Sequence, residues 1–108
     1  MTMTKQVAQV RISGQVRELE RAINYALGCA ATLTASAATA RNDLDAGPAL
    51  GLKALTWLAS VQGGLVKAGG DTARAHGELL GAAREMGIAD ENCDWIKPSG
   101  ELDLEEAA

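Results

Sequence analysis

Apolar and alanine side chains recur every three or four residues along the first half of the chain, without a break in phase. Such spacing places about one side chain per helical turn on a single face, and it is typical of a helix that packs against another helix. It predicts a long first helix over residues 15–46. The members of the pattern are Ile12, Val16, Leu19, Ile23, Ala26, Ala30, Leu33, Ala37, Ala40 and Leu44.

The second half of this helix is built from small residues. In the stretch 27–40, LGCAATLTASAATA, only Leu27 and Leu33 are larger than threonine. Small side chains allow other helices to approach closely, so this half is expected to be packed from more than one side. The uncharged run 22–40 is long enough to span a bilayer, but it holds five Asn, Thr and Ser side chains that oppose insertion. We therefore do not expect a transmembrane helix.

Glycine and proline divide the rest of the chain. Gly47 is predicted to cap the first helix in a left-handed conformation, and Pro48 to begin a second helix that ends near Ala68. Gly69 and Gly70 are then expected to end the second helix, and Asp71 to cap a third helix over residues 72–86. The prediction is an all-α, three-helix, up-down-up bundle.

The two ends of the chain have a different character. Residues 1–12 are interpreted as a flexible arm or a short strand, with Ser13 as the cap of the first helix. Past Gly87, a short ordered turn is expected to pack Trp95 and Ile96 against the bundle. Residues 99–108 are predicted to form an acidic, disordered tail. The helical domain is thus placed at residues 13–98.

Charge and cysteine content limit the function. The net charge is −4, and residues 88–108 hold Lys97 alone against seven acidic residues, which argues against general nucleic-acid binding. The start, MTMTKQVAQV, has no apolar signal-peptide core, and Cys29 and Cys93 fit no metal-binding spacing. We expect a cytoplasmic protein with reduced thiols.

No arrangement of catalytic residues is evident in the sequence. His76 is the single histidine and lies among Leu and Ala, which suggests a packed position. Cys29 has no cationic neighbour one helical turn away that would activate its thiol. We expect neither an enzyme nor a bound cofactor or metal.

The predicted helix lengths suggest self-association. At 1.5 Å per residue the first helix is about 48 Å long and the second about 31 Å. About one-third of the first helix, at its N-terminal end, would then have no other helix packed against it. Its bulky residues Val16, Leu19 and Ile23 are the predicted dimer interface. The favoured function is a non-enzymatic protein-protein interaction or assembly module acting as a homodimer with an unidentified protein partner.

Two further sites are predicted. Leu102 and Leu104 alternate with acidic residues in the tail and could dock onto a partner. The alternative function is a small-molecule or regulatory ligand-binding domain, with a cavity near the dimer interface lined by His76, Trp57 and Tyr25.

Overall fold

The computed structural model describes residues 3–87, and the regular structure within this range is two α-helices. Helix α1 spans Lys5–Asp43 and helix α2 spans Leu52–Glu85. The all-α prediction and the long first helix are confirmed, whereas the three-helix bundle is wrong. Neither helix is both long enough and apolar enough to cross a membrane.

Helix α1 begins earlier than predicted because Thr4, and not Ser13, caps it. The Val7 backbone N–H donates to Thr4 Oγ1 at 3.2 Å, which satisfies one of the free N–H groups of the first turn. Ser13 lies inside the helix and donates its hydroxyl to the Val10 carbonyl. The interpretation of residues 1–12 as an arm or strand therefore fails for residues 5–12, which are helical.

The turn between the helices is held by Asp45, whose φ is 54°. The Ala46 N–H donates to the Arg41 carbonyl and the Asp45 N–H to the Asn42 carbonyl, the paired bonds of a Schellman motif. Gly47 does not adopt a positive φ, so the predicted cap lies two residues too late. Pro48 belongs to the turn and not to the second helix.

Arg41 ties the end of α1 to this turn. Its Nε donates to the Leu50 carbonyl at 2.7 Å and its terminal Nη2 to the Pro48 carbonyl at 2.8 Å. The left-handed residue on the far side of the turn is Gly51, with a φ of 81°, a conformation that favours glycine; a Cβ atom built there would make ordinary contact with the Arg41 side chain.

Helix α2 runs through Gly69 and Gly70 without interruption, which is why the three-helix prediction fails. Glycine weakens a helix by about 1 kcal/mol relative to alanine, and packing can outweigh that amount. A Cβ atom built on Gly69 would lie 3.9 Å from Ile23 Cγ2, so this glycine is in the contact between the helices. Asp71 lies inside α2 and accepts a hydrogen bond from Arg74.

The chain divides into two compact units, each built from parts of both helices. Within the described residues, the turn unit comprises residues 21–69 and the terminal unit comprises residues 3–20 and 70–87. Helix α2 ends at Glu85, within one residue of the end predicted for the third helix, and Gly87, two residues later, has a φ of 70°. The predicted turn with Trp95 and Ile96, and the acidic tail, lie outside the described residues.

Candidate functional site

The most enclosed polar group of the terminal unit is His76, which is 5% exposed. It lies one helical turn after Thr72, which is also buried, so both side chains point to the same side of α2. The carboxylate of Glu20 on α1 lies beside the imidazole, with Oε1 3.6 Å from His76 Nδ1. The Glu20 side chain is itself only 18% exposed. This pair lies inside the contact between the helices, away from solvent.

A second polar contact joins the helices in the turn unit. Gln62 Nε2 donates to Thr34 Oγ1 at 3.0 Å, and the Thr34 hydroxyl donates to the Ala30 carbonyl at 2.8 Å. Ala30 is one of the buried apolar residues of the described chain. One face of the stretch 27–40 therefore packs closely, and polar side chains share that contact. The predicted packing from more than one side is not seen among the described residues, because Ala31, Ala35 and Ala38 are exposed.

Every second residue of the contact face of α1 lies one position later in the sequence than predicted. Ile23, Ala30 and Ala37 are at least half-buried, as expected for a packed face. Leu19 and Leu33 are exposed, and the positions that follow them, Glu20 and Thr34, take their places in the contact. The sequence pattern therefore combined one row of contact residues with a neighbouring row on the flank.

The predicted dimer residues fall on different surfaces. Val16 and Ile23 are half-buried, and Ile23 lies beside Gly69. Leu19 remains exposed. The prediction assumed that no other helix packs against the N-terminal part of the first helix. That assumption is wrong because the continuous α2 contacts Glu20 through His76 and Ile23 through Gly69. A dimer contact at these three residues stays a prediction without that support.

The predicted ligand pocket has residues of very different exposure. His76 is buried in the terminal unit, whereas Trp57 and Tyr25 belong to the turn unit and are 66% and 77% exposed. Tyr25 borders a shallow, open depression on α1 that also includes Cys29 and Leu33. Such a surface encloses little of a small molecule, whereas ligand sites bury most of their ligand.

The remaining predicted site residues, Leu102 and Leu104, lie outside the described residues, as does Cys93. Cys29 is a free, exposed thiol on α1. Within residues 3–87, no group of three or more His, Cys, Asp or Glu side chains is placed to hold a metal ion.

The surface that sequence analysis missed is the exposed flank of the helix pair. Leu33, Val61 and Trp57 are at least half exposed although they are among the largest apolar residues of the turn unit. The signal was present in the sequence as a seven-residue spacing of Ala26, Leu33 and Ala40, which marks a second row beside the contact face.

Comparison with known proteins gives no family to which these features could be assigned. No family model matches the sequence, and neither the curated proteins nor the solved structures include a significant match.

Proposed function

We propose that the chain is a non-enzymatic helical assembly module that acts as a homodimer. The observation that carries the proposal is the lack of a buried apolar core in the described residues. Ala30 and Ala83 are the buried hydrophobic residues there, and no side chain in residues 3–87 is fully buried. Two alanines supply little of the apolar burial on which a folded domain depends.

Large apolar side chains are instead left on the surface. Burying a Val, Leu or larger side chain is worth about 1.5–3 kcal/mol, so a few of them equal the net stability of a small domain. Association with another helical surface would supply this missing burial. The exposed large hydrophobic residues are Met3, Val7, Val10, Leu19, Tyr25, Leu33, Leu44, Leu50, Leu52, Trp57, Val61, Val66, Leu79 and Met86.

The placement of reactive side chains supports a non-enzymatic role. His76 is enclosed between the helices and has little access to a substrate, and its near neighbour Glu20 is mostly buried too. Cys29 is exposed on the turn unit, which suits a protein of the reducing cytoplasm. A protein partner that recognises Leu102 and Leu104 remains part of the proposal.

Sedimentation equilibrium of the full chain tests the proposal directly. The chain mass is 11.2 kDa, and we expect twice this mass at tens of micromolar with a return toward the monomer on dilution. A monomer that keeps the chain mass at every concentration and melts cooperatively would contradict it, because such a chain is stable without association.

A further inference from the structure

The flank of the turn unit carries matching rows of residues on its two helices. Thr34 and Gln62 face each other across the contact. In an antiparallel helix pair, the residues that precede two facing residues lie on the same side, so Leu33 and Val61 share one flank. Residues seven positions away extend both rows in either direction. We call this surface the lateral face; its residues are Ala26, Leu33 and Ala40 on α1 and Ala54, Val61 and Ala68 on α2, with Trp57 and Gly64 along its edge.

The lateral face is apolar where a two-helix protein usually carries charge. Positions that flank the contact of a two-stranded coiled coil are often Glu or Lys, which remain in solvent and pair across the helices. Here they carry no charged residue, and Leu33 and Val61 are 54% and 50% exposed. This pattern is typical of helices with neighbours on two sides, as in a four-helix bundle.

We propose that the lateral face binds the same face of a second copy, giving an antiparallel four-helix bundle; this rests on the proposed homodimer. The face carries no charge, so two copies of a chain with a net charge of −4 can meet there without bringing like charges together. A charged surface of another protein would have no group of opposite charge to pair with on the lateral face.

The order of large and small residues along the face also fits a second copy. Leu33 and Val61 form the middle level, and alanines lie on both sides of it. A two-fold axis through this level, perpendicular to the helices, stacks each helix on its own copy in the opposite direction. Val61 then meets Val61 of the partner, and alanine rows meet alanine rows.

The same axis gives Trp57 a place to insert. Trp57 lies four residues before Val61 and Gly64 lies three residues after it, so each indole reaches the level of Gly64 of the other copy. A Cβ atom built on Gly64 meets no atom of its own chain within 4 Å. The absent side chain therefore leaves open surface for the indole, and Trp57 supplies the largest apolar area of the face.

The size of the face sets the strength of the dimer. Rows of fourteen residues span about 21 Å, and two helices are about 20 Å wide, so each copy contributes roughly 400 Å². The total of about 800 Å² is below the roughly 1,200–2,000 Å² of stable interfaces and in the range of weak, transient ones, so we expect a reversible, concentration-dependent dimer. The measurement therefore needs a range from about one to several hundred micromolar.

The test compares two neighbouring glycines in the full chain by sedimentation equilibrium. Gly64→Leu would fill the space that receives Trp57, whereas Gly63→Leu adds the same side chain on the opposite flank of α2. Both glycines have open surroundings and lie inside the helix, so both substitutions favour the helix equally. We expect Gly64→Leu to raise the dimer dissociation constant at least tenfold and Gly63→Leu to leave it within threefold.

The outcomes distinguish a wrong choice of interface from the absence of a dimer. If the chain dimerises and Gly64→Leu has no more effect than Gly63→Leu, the lateral face is the wrong surface while the proposed function stands. If the chain never dimerises, both fall. Val61→Glu identifies a different occupant: a lower melting temperature in a strictly monomeric chain would mean that the same chain covers the face, which also overturns the proposal.

Discussion

Thr34 and Gln62 are joined by a hydrogen bond that fixes how α1 and α2 are aligned in the turn unit. The amide of Gln62 donates to the Thr34 hydroxyl over 3.0 Å, and that hydroxyl donates onward to the Ala30 carbonyl. A shift by one heptad would place Gln62 opposite Leu27 or Arg41 and leave its amide without this acceptor. The pair therefore favours one alignment between alanine-rich surfaces that would otherwise fit in several ways.

A double-mutant cycle on this pair measures its contribution. Thr34→Val should lower the free energy of unfolding by about 1–3 kcal/mol, because the half-buried Gln62 amide loses its acceptor. Gln62→Leu together with Thr34→Val should lower it less than the sum of the single changes, since neither polar group is then left unmatched. Urea unfolding followed by circular dichroism gives all four values. Strict additivity would show that the bond contributes nothing.

The positions of α1 that face α2 show how much of the contact could be predicted from the sequence. The four-three spacing correctly indicated a long packed helix, and Ile23, Ala30 and Ala37 are in its contact face. It could not show that Glu20, Thr34 and Arg41 also face inward, because a polar residue is placed there by its partner. The partners of Glu20 and Thr34 are His76 and Gln62, which are distant in sequence, and those of Arg41 are the Pro48 and Leu50 carbonyls of the following turn.

The break expected at Gly69 and Gly70 has a similar cause. Adjacent glycines normally indicate a helix end, but Gly69 is used where α2 passes close to Ile23. Close packing and helix termination both favour glycine, so the residue type alone does not distinguish them. The lateral face is hidden in the sequence for a related reason: its α1 row, Ala26, Leu33 and Ala40, is part of the same four-three spacing that predicts the contact face.

Alanine substitutions at two glycines test the continuous α2. Gly69→Ala should raise the free energy of unfolding by about 0.5–1 kcal/mol, since its φ is not positive and the new methyl group makes an ordinary contact with Ile23. Gly51→Ala, the control, should lower it by about 1 kcal/mol or more because alanine is strained at a φ of 81°. If Gly69→Ala is destabilising to the same extent as Gly51→Ala, the helix ends there after all.

Replacing Asp45, the left-handed residue at the end of α1, should increase the stability of the protein. Asp45→Gly should stabilise the protein by about 1 kcal/mol, because glycine adopts a φ of 54° without strain and the change removes a negative charge from a helix C-terminus. Thermal melts at matched concentration would show the effect as a higher midpoint. Gly47→Ala is the comparison, and its midpoint should change little. A lower midpoint for Asp45→Gly would mean that the carboxylate itself stabilises the turn.

Arg41 should matter more than a surface arginine normally does. Arg41→Ala removes both hydrogen bonds to the turn carbonyls and should lower the free energy of unfolding by about 1–2 kcal/mol. Arg84→Ala, at an exposed position near the end of α2, serves as the control and should change it by less than about 0.5 kcal/mol. Equal effects of the two substitutions would show that the bonds to the turn are not stabilising.

The buried histidine should be sensitive to truncation. His76→Ala removes a side chain that is almost fully enclosed and leaves Glu20 without its imidazole neighbour, so the free energy of unfolding should fall by about 2 kcal/mol or more. Glu78→Ala, two residues further on and exposed, should have little effect. Chemical denaturation curves decide between them, and a stable His76→Ala variant would contradict the enclosed position of the imidazole.

The unequal glycine content of the two helices has a consequence for the order of folding. Helix α2 contains six glycines in 34 residues, whereas α1 contains two in 39. At about 1 kcal/mol each relative to alanine, six glycines prevent α2 from forming a stable helix on its own. Alanine-rich α1 can acquire partial helix while the chain is still unfolded. We therefore expect α2 to form on the surface of α1, which would act as its template during folding.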